Sequence, residues 1–303
     1  MDLIKLLFLQ LTLVIVLLGT LMNSIEKYLP PDIRRMFRYG KHSYQSENSS
    51  KIIDKIEIPK SFFKHFYIFA IIWSWMGLTL AIRVYFLNYH PHIYLFKYLD
   101  FSCGINRKIE ITPLETLTAL MLITVQCTRR FIETNFLQIF SKKSKINLSH
   151  YFCGFLHYYG LVVLIIAKSD GFNTERNNFV YGLEDVLLAV FTSLVFLYLN
   201  YKQYETNMIL INLRKSKFGK IISESHVIPQ GGLFKYISSP HMFTEVGMYF
   251  VLLGVLYKNS TYIFCLVWVI SNQICNAFLT HKWYVGTFKD YPKERKAIIP
   301  FLL

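Results

Sequence analysis

Long apolar runs separated by short polar stretches set the pattern of this chain. A helix needs about 20 predominantly apolar residues to cross the hydrocarbon core of a bilayer. Seven segments of the 303 residues approach that rule, roughly 3–22, 62–87, 112–128, 151–167, 183–201, 242–257 and 262–279. They predict an all-α fold, a polytopic membrane helical bundle with seven transmembrane helices. The first run exceeds the apolar stretch of a secretory signal and no small-x-small cleavage pattern follows it, so it reads as the first span.

Seven spans put the two termini on opposite sides of the membrane. Loops 23–61, 129–149 and 202–240 with the tail 280–303 carry 24 Lys and Arg, whereas the other side carries 7. By the positive-inside rule the N-terminus is then luminal or external and the C-terminus cytosolic.

Composition narrows the class further. At 53% hydrophobic residues and a mean hydropathy of +0.33, the chain is too apolar for a soluble domain. The net charge of +14 suits anionic partners such as phosphates or lipid headgroups, but basic loops also orient any membrane protein. Cys103, Cys127, Cys153, Cys265 and Cys275 show no CxxC spacing, which argues against a zinc site or a disulfide framework. No nucleic-acid motif, internal repeat or low-complexity tract is present, and the stretch from Gln45 to Lys60 reads as a loop. The sequons at Asn48, Asn147 and Asn259 read as chance matches, two on the basic side and one in a very short loop.

Ionisable groups at membrane depth are costly and are functional candidates by default. Arg129, Arg130 and Glu133 follow the third span. Gln203, Glu205 and Asn207 follow the fifth, ahead of Arg214. His241 and Glu245 open the sixth and share a helix face, and Asn276, His281 and Tyr284 close the seventh. Arginines there also serve as interfacial anchors, and a glutamate near a helix start is favourable in its own right. The convergence of four such sets at the basic ends of four spans favours a shared site. Arg guanidinium groups suit phosphates, while amides and carboxylates suit ribose and nicotinamide. No G-x-G-x-x-G after a strand, P-loop or HExxH occurs, and Gly231-Gly232 in PQGG reads as a turn.

The stretches FRYGK (37–41), IPKSFFKHFYIFAIIW (58–73), TRRFIE (128–133), NMILINLRK (207–215), IPQGGLFKYISSPHMFTE (228–245) and NQICNAFLTHKWYVGTFKDYPKERKAIIPFLL (272–303) carry a resemblance. Through them the chain resembles the steroid 5-alpha-reductase family, in particular its polyprenol reductase branch, which acts in dolichol synthesis. The resemblance implies a seven-span bundle at the endoplasmic reticulum membrane that takes NADPH from the cytosol. It implies that Arg130, Glu133, Asn207, Arg214, His241, Glu245, His281 and Tyr284 bind the cofactor. Residues 1–303 would form one reductase domain, with 204–303 including the cofactor-binding half.

Hydride adds readily only to a C=C bond polarised by a conjugated carbonyl, and the charge then collects on oxygen beside a hydrogen-bond donor. For a polyisoprenoid this makes the unsaturated aldehyde the reducible species, polyprenal to dolichal. Candidate donors are His65 and Tyr67, which align with the family's second-span substrate region, and Glu115 at the start of the third span. The implied partners are a long-chain polyisoprenoid substrate and membrane lipids, with no nucleic acid, metal or obligate protein partner. Steroid 3-oxo-4-enes and trans-2-enoyl thioesters are rival substrates. A transporter would instead place polar groups near the midplane or break its helices in pairs.

Overall fold

The computed structural model describes residues 1–37, 55–141, 144–173, 181–215 and 226–303. Residues 38–41 of the FRYGK stretch, the sequon at Asn48 and the loop from Gln45 as far as Asp54 lie outside them. Nine α-helices occur among the described residues: α1 (Leu3–Ser24), α2 (Pro31–Phe37), α3 (Phe63–Phe86), α4 (Ile93–Cys103), α5 (Pro113–Ile132), α6 (Leu148–Ala167), α7 (Leu183–Asn212), α8 (Pro240–Leu256) and α9 (Tyr262–Thr287). Each of the seven apolar segments is one of them, and α2 and α4 are short additions. Strands β1 (Glu57–Pro59) and β2 (Lys145–Asn147) pair antiparallel with Glu57 opposite Asn147, which ties the starts of α3 and α6 together.

Five helices, α1, α3, α6, α7 and α9, are long and apolar enough to cross a membrane. The chain is therefore an all-α, multi-pass membrane protein. The other two differ in character. Helix α5 carries Glu115, Gln126, Arg129 and Arg130 among its 20 residues. Helix α8 has 17 residues, a rise of about 26 Å against a core of about 30 Å.

Local chemistry sets the helix starts. Asp2 caps α1 by accepting from the Lys5 N–H at 2.8 Å. Thr112 and Glu115 form a reciprocal capping box ahead of α5, with Pro113 at the first position, where a missing N–H costs nothing. Asn147 caps α6, and buried Asn259 accepts from the Thr261 and Tyr262 N–H groups at the start of α9. Two of the three sequon asparagines are thus occupied in helix starts.

Helix α6 is the hub of the bundle, touching α1, α3, α4, α5 and α9. Its residues Leu161 to Ala167 are all buried, as expected of a helix that is apolar on every face. Lipid tails are as apolar as leucine, so helix association inside a bilayer relies on close packing and hydrogen bonds. Glycine supplies the close approach here. A Cβ on Gly77 would stand 2.7 Å from Val162, and one on Gly154 2.7 Å from the Phe66 ring, so α3 and α6 meet through one glycine on each side. Outward faces are apolar too: Leu187, Val190, Phe191 and Leu194 of α7 are exposed, the inverse of a soluble protein.

Candidate functional site

A cavity of about 570 Å³ opens among α1, α3, α5, α6, α7, α8 and α9, at the end of the bundle where α3, α6 and α8 begin and where α5, α7 and α9 finish. One wall is apolar, built from Leu11, Val14, Ile15 and Leu18 of α1 with Trp268 and Val269 of α9. The facing wall is polar, and most of its groups come from the ends of helices that run past their apolar cores. Helix α5 continues as helix through Arg129 and Arg130 and then widens into a π-turn from Glu133 to Leu137, the kind of local irregularity that re-aims side chains. Helix α7 continues 11 residues beyond the apolar run that marks it, to Asn212, and α9 continues to Thr287.

Glu133 is the anchor of the polar wall, with only 2% of its side chain exposed. It pairs with both Arg129 and Arg130 and accepts from the Asn207 amide at 2.8 Å. Arg130 in turn donates to the Tyr67 hydroxyl through Nη2 at 3.0 Å and Nε at 3.2 Å, and its guanidinium lies 4.8 Å from that ring. A second knot sits one layer inward. Gln203 donates through Nε2 to Glu245 at 2.5 Å and to the His241 carbonyl at 2.9 Å, and accepts from Gln126 at 3.1 Å. Gln126 also donates to Glu245 at 3.0 Å and accepts from Asn200 at 2.6 Å and from Arg129 at 2.7 Å. Glu133 is thus paired with two guanidinium groups and an amide, while Glu245 accepts from two amides through one oxygen. Such pairing is what makes buried charge tolerable.

The mouth of the cavity is basic. Lys60 and Arg214 line it, and Arg214 donates to the Ile139 carbonyl at 2.7 Å. The turn at Gly231-Gly232 has φ values of 88° and 50°, left-handed geometry that glycine alone adopts freely, so the PQGG turn is as the sequence predicted. The segment after α9 docks on that turn. Arg295 donates to the Pro229 carbonyl at 3.0 Å and to Gln230 at 2.8 Å, and the Lys296 N–H donates to the Tyr236 carbonyl at 2.9 Å.

Of the expected site residues, Tyr67, Arg130, Glu133, Asn207, Arg214, His241, Glu245 and Tyr284 all line this one cavity. Three do not. His65 is exposed on the outer face of α3, with Nδ1 3.2 Å from the Tyr151 hydroxyl, because two residues along a helix turn the side chain away from the face that carries Tyr67. Glu115 occupies the far end of α5, about 27 Å of helix rise from Glu133, where it caps the helix and pairs with Lys258 at 3.0 Å. His281 is drawn off the wall: its Nδ1 lies 2.7 Å from Ser238 Oγ, which also meets the Tyr291 hydroxyl at 2.6 Å. It fastens the terminal segment, while Tyr284, one turn on, lines the cavity and stacks on Tyr291.

Among the polar residues of the site that escaped the sequence reading are Gln126, Asn200, His157 and Tyr158. The first two look like single polar interruptions of apolar helices, and their meaning depends on partners 74 residues or more away along the chain. The pair on α6 did leave a signal. His150, Gly154 and His157 fall on one face of LSHYFCGFLHYYG, a polar stripe within a membrane-length run.

Known proteins were compared against this chain. The family model described as 3-oxo-5-alpha-steroid 4-dehydrogenase matches residues 168–303. A polyprenal reductase of Drosophila melanogaster is 44% identical over 306 aligned residues, covering 100% of this chain and 94% of the relative. Polyprenal reductases of Caenorhabditis elegans and Homo sapiens are 32% and 30% identical, covering 97% and 93% of this chain and 96% and 92% of their own lengths. With relatives of that identity along its whole length and the family model on its C-terminal half, the chain belongs to the steroid 5-alpha-reductase family.

Proposed function

We propose that this chain is an NADPH-dependent polyprenal reductase that saturates the α-isoprene double bond of polyprenal to give dolichal, in support of dolichol-linked protein glycosylation. Relatives carrying that name match it end to end, and the family is one of oxidoreductases acting on C=C bonds. The observation that carries the reading is the division of a single cavity into an apolar wall and an Arg130-backed Tyr67 on the polar wall. In this reading all seven long helices span the endoplasmic reticulum membrane with the basic C-terminus in the cytosol, and residues 1–303 act as one unit.

The polar wall fits a dinucleotide. Lys60 and Arg214 at the mouth suit phosphates, and Asn207, Glu133, Gln203, His241 and Glu245 offer the amide, imidazole and carboxylate groups that ribose and carboxamide require, with Tyr284 as a flat apolar edge. Bound there, NADPH would supply the hydride that adds to the β-carbon. In this reading Tyr67 supplies the proton that adds to the α-carbon. Arg130, bonded twice to its oxygen and packed on its ring, stabilises the phenolate left behind. Glu133 holds Arg130 in place, and the apolar α1 wall suits a prenyl tail and keeps water from the carbanionic centre. His281 acts by holding the terminal segment against the 229–239 turn.

NADPH oxidation by the purified protein in detergent, offered polyprenal, polyprenol or a steroid 3-oxo-4-ene, tests the reading. Consumption with polyprenal alone is expected, because an isolated allylic alcohol has no electron sink. Turnover of the alcohol with no aldehyde formed would refute the chemistry, and turnover of the steroid alone would move the chain to another branch of its family.

A further inference from the structure

Among the polar side chains of the cavity that the mechanism above leaves idle is a histidine on α6. His157 lines it from α6, two turns along from His150, and its ring is enclosed by aromatic neighbours: Phe8 at 6.2 Å, Tyr158 at 5.0 Å and Tyr249 at 5.5 Å between centroids. Its Nε2 lies 2.6 Å from the hydroxyl of Tyr249, a residue 3% exposed on α8, one turn beyond Glu245. Its Nδ1 is buried and meets no hydrogen-bonding partner among the described residues. The Tyr158 ring touches both sides of the site, 5.9 Å from the Tyr67 ring and 5.0 Å from His157.

A neutral imidazole has one donor and one acceptor nitrogen. If Nε2 carried the proton, the Tyr249 hydrogen would lack an acceptor and Nδ1 would be a bare acceptor, two unsatisfied groups. If Tyr249 donates to Nε2, one group is left over, a buried Nδ1–H on a residue that lines the cavity. That tautomer wastes least, and it leaves a donor without an acceptor.

We propose that His157, held in this tautomer by Tyr249, is a further catalytic residue that donates Nδ1–H to the carbonyl oxygen of the substrate. The inference rests on the polyprenal reading and deepens it by separating two roles. Tyr67 gives its proton to carbon, and His157 holds the oxygen on which charge gathers. No proton leaves His157: the hydrogen bond strengthens as the carbonyl becomes an enolate and relaxes when the α-carbon is protonated, so it favours the transition state over the bound aldehyde.

The test uses the full-length protein in lipid nanodiscs, with NADPH oxidation followed against polyprenal for His157→Phe, His157→Gln, Tyr249→Phe and the His157→Phe/Tyr249→Phe double variant. His157→Phe is expected to lower kcat about 100-fold, as loss of an oxyanion donor does, with the NADPH KM within about twofold. Tyr249→Phe lowers kcat about tenfold when His157 is present and has no further effect when it is absent, because the tyrosine acts through the histidine. His157→Gln, whose amide still donates, retains about tenfold more activity than His157→Phe. A loss below about threefold in His157→Phe, or an equal effect of Tyr249→Phe with and without His157, overturns the proposal. Should His157→Phe fail to fold, His157→Gln and Tyr249→Phe with their double variant make the same comparison. Wild-type protein silent toward polyprenal would be a different failure, that of the parent reading.

Discussion

Two buried glutamates at the two ends of α5 show how one residue type serves opposite purposes. Glu115 and Glu133 are 7% and 1% exposed. Glu115 spends its oxygens on structure: one accepts from the Thr112 N–H at 2.7 Å, the other pairs with Lys258 at 3.0 Å. Neighbouring pairs at that end do likewise, Lys168 with Glu110 and Arg107 with Asp100, each tying a loop to a helix end. Glu133 gathers two arginines and an amide around a void. Burial and charge do not distinguish the two. What separates them is what the paired cations meet further: Arg130 lines the large cavity and Arg129 a second pocket beside Trp75 and Tyr204, whereas Lys258, the partner of Glu115, lines neither.

The sharpest way to break this contrast is Glu133→Ala. It strands Arg129 and Arg130 in a buried site and is expected to cost about 3–5 kcal/mol of stability, read by thermal unfolding in detergent, together with all measurable turnover. An active, stable Glu133→Ala protein would mean that the arginines are held by other groups. Tyr67→Phe comes next. It keeps the ring against Arg130 and removes only the hydroxyl, so kcat should fall about 100-fold with stability changed by about 1 kcal/mol. Glu115→Gln is expected to lower stability by about 1 kcal/mol through a weakened cap and a lost partly exposed pair, with turnover kept. Loss of turnover in a folded Glu115→Gln protein would erase the distinction between the two ends. The smallest effect belongs to His65→Ala, whose kcat/KM should stay within about twofold of wild type, since the ring points away from the site that Tyr67 faces.

The same contrast explains what reading the chain could reach. All seven long helices were visible, because a membrane-length apolar run has few alternatives once backbone groups must be satisfied without water. Their ends were less so. A hydropathy window stops at the first charges, whereas α5 runs through Arg129 and Arg130 into the π-turn and α9 runs on past His281, both carried by partners rather than by apolarity. Eight of the eleven residues expected at the site line one cavity. The other three are held elsewhere by definite contacts. His65 is two residues out of phase with Tyr67, Glu115 completes a capping box, and His281 bonds Ser238 while Tyr284, expected beside it, lines the cavity.

By itself, then, the sequence determined that this chain is a helical membrane protein and that its polar residues collect at the ends of particular helices. Those properties follow from composition and period, which act locally. Which carboxylate caps a helix and which one braces an arginine, and that His157 and Tyr249 meet across 92 residues, were decided by tertiary structure alone. A hydrogen bond inside a bilayer forms between whichever faces the packing of α3, α6 and their neighbours brings together, and that packing depends on close fits such as Gly77 against Val162, which no spacing along the chain records.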